Sequence, residues 1–86
     1  MNVTFSGKHA INPETFGINF EALVDGRSVV CMVSTEALQD IDPSNKMDEP
    51  EQQFLANQSA FEAIAEKKIR SGASSPIAIG CSDVGA

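Results

Sequence analysis

Apolar and polar positions alternate most regularly between Ile18 and Val33. Ile18, Phe20, Ala22 and Val24 fall on one side of an extended chain, and Asn19, Glu21 and Leu23 on the other. Asp25-Gly26 interrupts the alternation with the pair that suits a type I′ hairpin, because glycine accepts positive φ freely and aspartate tolerates it. So short a loop fixes the register. Val24 then faces Arg27, Ala22 faces Val29, Phe20 faces Cys31 and Ile18 faces Val33. Ile18, Phe20, Ala22, Val29, Cys31 and Val33 form one core face, with Cys31 in its middle opposite an aromatic ring.

Beyond the hairpin the period changes. Ser34 or Thr35 caps a short helix, "TEALQD", with Glu36 in the first turn where the helix dipole favours negative charge. Pro43 stops it. A longer helix opens at "DEPE": Asp48 caps, Pro50 suits the first turn and Glu51 completes a capping-box spacing. It is expected to run unbroken to about Ser71 and to end at Gly72, with Lys67, Lys68 and Arg70 complementing the dipole in its last turns. Phe54, Phe61, Ala65 and Ile69 form its apolar stripe, flanked by Leu55 and Ile64 and interrupted by Gln58.

The ends of the chain are less regular. "NVTF" (Asn2 to Phe5) predicts a short strand, followed by a loop over "SGKHAINPETFG" with its Gly7, Pro13 and Gly17. "IAIGCS", Ile77 to Ser82, predicts a closing strand that points Ile77, Ile79 and Cys81 inward. Strand, hairpin, short helix, long helix and strand together predict an α+β fold. Its mostly antiparallel sheet carries both helices on one face.

At 86 residues the chain is expected to form one domain over residues 1–86. With 42% hydrophobic and 21% charged residues the composition is globular. A core of this size gives marginal stability, which association with a second copy would raise. No stretch approaches the ~18 uninterrupted apolar residues of a membrane helix. "MNVTFSGKHA" lacks the basic flank and apolar run of a secretion signal, so the expected location is the cytoplasm. Twelve acidic residues against six basic ones leave a net charge of −6, which disfavours nucleic acid and anionic membranes as partners.

Residue order and spacing carry a resemblance. "FEALVDGRSVVCMVSTEAL" followed by "FLANQSAFEAIAEKKI" resembles the small bacterial proteins of domain-of-unknown-function family fourteen-eighty-eight. The matching positions are Phe20, Ala22, Val24, Gly26, Cys31, Ser34, Glu36, Ala37 and Leu38. The resemblance covers nearly the whole chain and implies a compact α+β fold in a bacterial cytoplasm. It implies no activity. Some relatives carry a transcriptional-regulator label, which the acidic charge does not support. The family often places an arginine mid-way along the long helix, where this chain has Gln58.

Candidate chemistry is sparse. Cys31 would need a base and an electropositive setting to act as a nucleophile. Its neighbours are apolar and the single histidine, His9, lies on a loop, so Cys31 reads as a core filler. A Cys31–Cys81 disulfide requires the last strand to neighbour the hairpin, and a reducing compartment argues against it. "DIDPSNKMDEPE" places Asp40, Asp42, Ser44, Asp48 and Glu51 at positions one, three, five, nine and twelve of a calcium-type loop, with Asn45 where glycine is usual. Pro43 and Pro50 restrict that loop, and a capping box accounts for Asp48 and Glu51 without metal. Gln58 reads as half-exposed at the helix edge or hydrogen-bonded in a core, with simple exposure favoured and a contact within an interface as a further reading.

The expectation is therefore a non-catalytic protein-interaction or regulatory module with no catalytic residues and no cofactor. Its partner would be a protein, including a second copy through an exposed sheet edge or helix face. The alternative is divalent-cation binding through Asp40, Asp42, Ser44, Asp48 and Glu51. An enzyme using Cys31 and His9 ranks third.

Overall fold

The Asp25-Gly26 bend closes as the pattern requires, with Asp25 at φ 51° and Gly26 at φ 85°. It joins β2 (Ile18–Val24) to β3 (Arg27–Val33). The register is the expected one: Val24 opposite Arg27, Ala22 opposite Val29, Phe20 opposite Cys31 and Ile18 opposite Val33. This computed structural model describes residues 1–41 and 49–84.

The first strand is longer than its apolar pattern indicates. β1 runs from Val3 to Ile11 and pairs antiparallel with β2, so the first half of the expected loop is strand. The register shifts between Phe5, opposite Ala22, and His9, opposite Phe20. Gly7, at φ 86°, lets the chain bulge there without a Cβ penalty. The physical cause is β2's outer edge, whose backbone N–H and C=O groups need partners wherever the core buries them. Polar side chains on an edge strand do not prevent that pairing.

β4 (Ile77–Ile79) adds to the other side of the hairpin, parallel to β3, giving the order β1-β2-β3-β4. A parallel neighbour requires a long crossover, and the helices supply it. The strand stops at Ile79, short of the expected Ser82. Gly80 N donates to Asp83 Oδ2 at 2.9 Å and Asp83 N to Gly80 O at 3.0 Å, so the chain turns into α4 (Cys81–Val84). Cys81 is consequently exposed, not inward-facing as the alternation predicts.

α1 (Thr35–Ile41) starts at Ser34, whose Oγ accepts from Ala37 N at 3.1 Å. The expected long helix is two: α2 (Pro50–Ala56) and α3 (Gln58–Arg70), divided at Asn57 (φ −126°, ψ 23°). Asn57 O accepts from the amides of Ala60 and Phe61, while Asn57 Nδ2 donates to Gln53 O at 3.2 Å. The break lets α2 lie on β1 and β2 while α3 lies on β4. Phe54 meets Phe20 at 5.2 Å and Phe61 at 5.9 Å between ring centroids. α3 ends as predicted: Gly72, at φ 97°, and Ala73 donate back to Ile69 O and Lys68 O, a Schellman closure.

The four helices among the described residues belong to an α+β fold whose core lies between them and one sheet face. Ile18, Phe20, Ala22, Cys31, Val33, Ile77 and Ile79 from the sheet meet Leu38, Phe54, Phe61, Ala65 and Ile69 from the helices. Leu55, on the flank of the expected stripe, is 49% exposed. Gln53, which no apolar pattern marks, is only 3% exposed.

Candidate functional site

Cys31 is fully buried, and burial pushes its thiol up from 9.0 to about 11. A thiol held neutral at this depth is a poor nucleophile. His9 sits in β1, not on a loop, and Phe20 on β2 pairs with both His9 and Cys31, standing between them in the sheet. The imidazole is engaged elsewhere. Its ring lies 5.3 Å from that of Phe54, Nδ1 is 3.2 Å from Gly7 O, and Nε2 is 3.5 Å from Glu51 Oε2. The structure does not bring the nucleophile and base together.

Glu51 is therefore a partner of His9. The N-cap of α2 is Glu49, without a side-chain cap bond, so Glu51 sits one position too early to close the expected box. Of the calcium-type positions, Asp40 is exposed near the end of α1 and Glu51 is in the first turn of α2. Asp42, Ser44, Asn45 and Asp48, with Pro43 and the proposed Asp48 cap, lie outside the described residues.

Both cysteines are free thiols. The basic cluster is partly engaged: Lys68 Nζ is 3.1 Å from Asp83 Oδ1, and Arg70 Nε is 2.8 Å from Glu66 Oε2. The Gly80 amide first, then Lys68, holds the Asp83 carboxyl below its ordinary value. Gln58 is half-buried and donates to Glu62 Oε2 at 3.0 Å, an intrahelical bond that explains how the apolar stripe tolerates it.

The sheet face turned away from the helices carries Asn19, Glu21, Leu23, Val30, Met32 and Ala78. Ser28 Oγ donates to Glu21 at 2.6 Å. That bond, with lesser help from Ser6 and Lys8, lowers the pKa of the Glu21 carboxyl.

The loop from Asn12 to Gly17, at one end of this face, is built almost entirely from polar contacts. Asn12 Oδ1 accepts from Glu14 N at 2.9 Å and Thr15 N at 3.3 Å. Phe16 N donates to Asn12 O, Asn12 N to Gly17 O, and Gly17 N to Thr15 Oγ1. Gly17 passes so close to the Val33 carbonyl that a Cβ would collide with it.

Phe16 stands on this scaffold with φ 62°, and it is 65% exposed. Positive φ costs an L-residue roughly 1–2 kcal/mol, and for a bulky aromatic it is a true outlier. Its chain neighbour Thr15 lines an open groove of about 380 Å³ that runs between the loop, the ends of β3 and β4, and the start of α1. Thr15, Met32, Ala78 and Glu36 contribute to its lining. The loop composition of "NPETFG" marks a turn but does not single out Phe16.

The family described as "Protein of unknown function (DUF1488)" matches residues 3–79. No curated protein matches the chain significantly. Among solved structures, the chain is similar to a crystal structure of a protein of unknown function from the DUF1488 family of Shewanella loihica PV-4. They share 23% identity and a TM-score of 0.77, over 92% of this chain and 94% of that one. At that identity the likeness speaks for the fold.

Proposed function

Since the chain belongs to the DUF1488 family, whose description assigns no activity, we propose from its own geometry that it is a non-catalytic protein-interaction module of the bacterial cytoplasm. The bacterial setting follows the family resemblance and the Shewanella loihica relative. Two free thiols suit a reducing compartment. The non-catalytic reading is supported by the burial of Cys31 and its separation from His9.

The observation that carries the reading is Phe16. A well-bonded loop holds a large apolar ring in solvent, in a backbone conformation that opposes folding. Such strain at an exposed aromatic serves contact better than stability. The edge of β1 is a weaker place for a partner, since its bulge at Gly7 and its Lys8 are features that discourage strand addition.

Replacing Phe16 by glycine tests the reading through equilibrium unfolding. Glycine accepts the positive φ, so the unfolding midpoint should rise. A fall would mean that the ring supports the fold, and the reading would be lost.

A further inference from the structure

Resting on that reading, we infer that Phe16 and the groove beside it take a basic partner protein, one presenting an apolar pocket or side chain rimmed by lysine or arginine. The groove supplies the apolar half of the argument. Met32 and Ala78 pair across β3 and β4 on the face away from the core, and Thr15, the residue before Phe16, lines the groove with them. A ring on a rigid stalk beside an apolar trough matches the aromatic anchor around which interfaces concentrate their energy.

Charge selects the partner. Glu14 lies two positions from Phe16, Glu36 lines the groove, and Asp40 follows one helical turn beyond Glu36 on α1. All three are exposed. Glu36 and Asp40 are like charges at a spacing that repels. No basic side chain lines the groove among the described residues. Arg27 is at the far end of the hairpin, and Lys68 and Arg70 are paired with Asp83 and Glu66. A second copy would bring the same carboxylates against one another, whereas a cationic rim would neutralise them and be steered by the net charge of −6.

The test uses the full chain, nitrogen-labelled, titrated with a short synthetic peptide alternating leucine and lysine, and separately with its leucine–glutamate counterpart. The lysine peptide should shift amides of residues 12–17, 32–36 and 78–80, with affinity falling as salt is raised. Phe16→Gly, folded and with a higher unfolding midpoint, should weaken binding at least about tenfold. Glu14→Lys with Glu36→Lys should weaken it as well while Phe16 stays in place.

Equal binding of both peptides, or indifference to the charge reversals while Phe16→Gly still abolishes binding, would overturn the basic partner and leave the interaction reading standing. Shifts confined to other regions, or binding unaffected by Phe16→Gly, would remove both. Sedimentation showing a dimer that Phe16→Gly dissolves would assign the surface to a second copy and overturn the basic partner.

Discussion

The hairpin and the loop that precedes it meet at Gly17, yet opposite physics holds each in place. Along β2 and β3, apolar side chains alternate against a dry helical layer, and burial favours the inward-facing residues in their observed conformation. In the loop from Asn12 to Gly17, hydrogen bonds from Asn12 and Thr15 satisfy the backbone locally, and that frame holds Phe16 in a conformation its side chain disfavours. One region is shaped by what it hides. The other is shaped so that it can show something.

The comparison can be broken from the core side first. Phe54→Ala removes a fully buried ring that touches His9, Phe20 and Phe61, and should cost about 3–5 kcal/mol by urea denaturation. A loss below about 1 kcal/mol would mean that the aromatic cluster does not organise the helical layer. Gly17→Ala should come next, at roughly 1–3 kcal/mol, because the added methyl meets the Val33 carbonyl and the junction must open. A neutral outcome would show that loop and hairpin are less tightly joined.

Cys31 sharpens the contrast through pH. Burial raises its folded-state value from 9.0 to about 11, whereas the unfolded chain ionises at the ordinary value. Its contribution is therefore complete below pH 9 and is lost as pH rises towards about 11, by at most about 1.4 kcal/mol per pH unit. Cys31→Ala should flatten that slope. Under native conditions a thiol reagent should label Cys81 promptly and Cys31 only on unfolding, which mass mapping would resolve.

Phe16→Gly should act in the opposite direction, raising stability by about 0.5–1 kcal/mol once glycine's larger unfolded-state entropy is offset against relief of the positive φ. Smallest of all is Lys68→Ala. Its partially exposed bridge to Asp83 should be worth no more than about 1 kcal/mol in thermal unfolding. Since Asp83 ionises more readily when folded, its contribution is present at neutral pH and fades as pH falls through its lowered value. A larger effect would give α4 a greater part in the fold than its four residues imply.

The legible parts of the fold share a property: their signals are local. Asp25-Gly26 sets the hairpin register because the allowed φ values of two residues decide it. Gly72 marks the end of α3 for the same reason, and Ser34 marks the start of α1 through a side-chain bond to an amide three residues on. The heptad-like stripe correctly marked Phe54, Phe61, Ala65 and Ile69 as buried. Cys31 was readable as core because it stands opposite Phe20 in a register already fixed. For the candidate surface, the acidic balance was evident from composition, but Phe16 was not, since nothing in "NPETFG" states that the ring faces water at positive φ.

What the sequence by itself determined, then, was each element whose conformation follows from neighbouring residues: the hairpin, the start of α1, the end of α3, the apolar faces and the family. Tertiary structure alone decided that β1 extends to Ile11, that the long helix breaks at Asn57, that β4 lies parallel to β3 and that Cys81 turns outward. The first three depend on backbone groups or rings brought close from distant parts of the chain, and the last on Asp83 folding back onto Gly80; alternation along one segment contains no information about the group that will meet it.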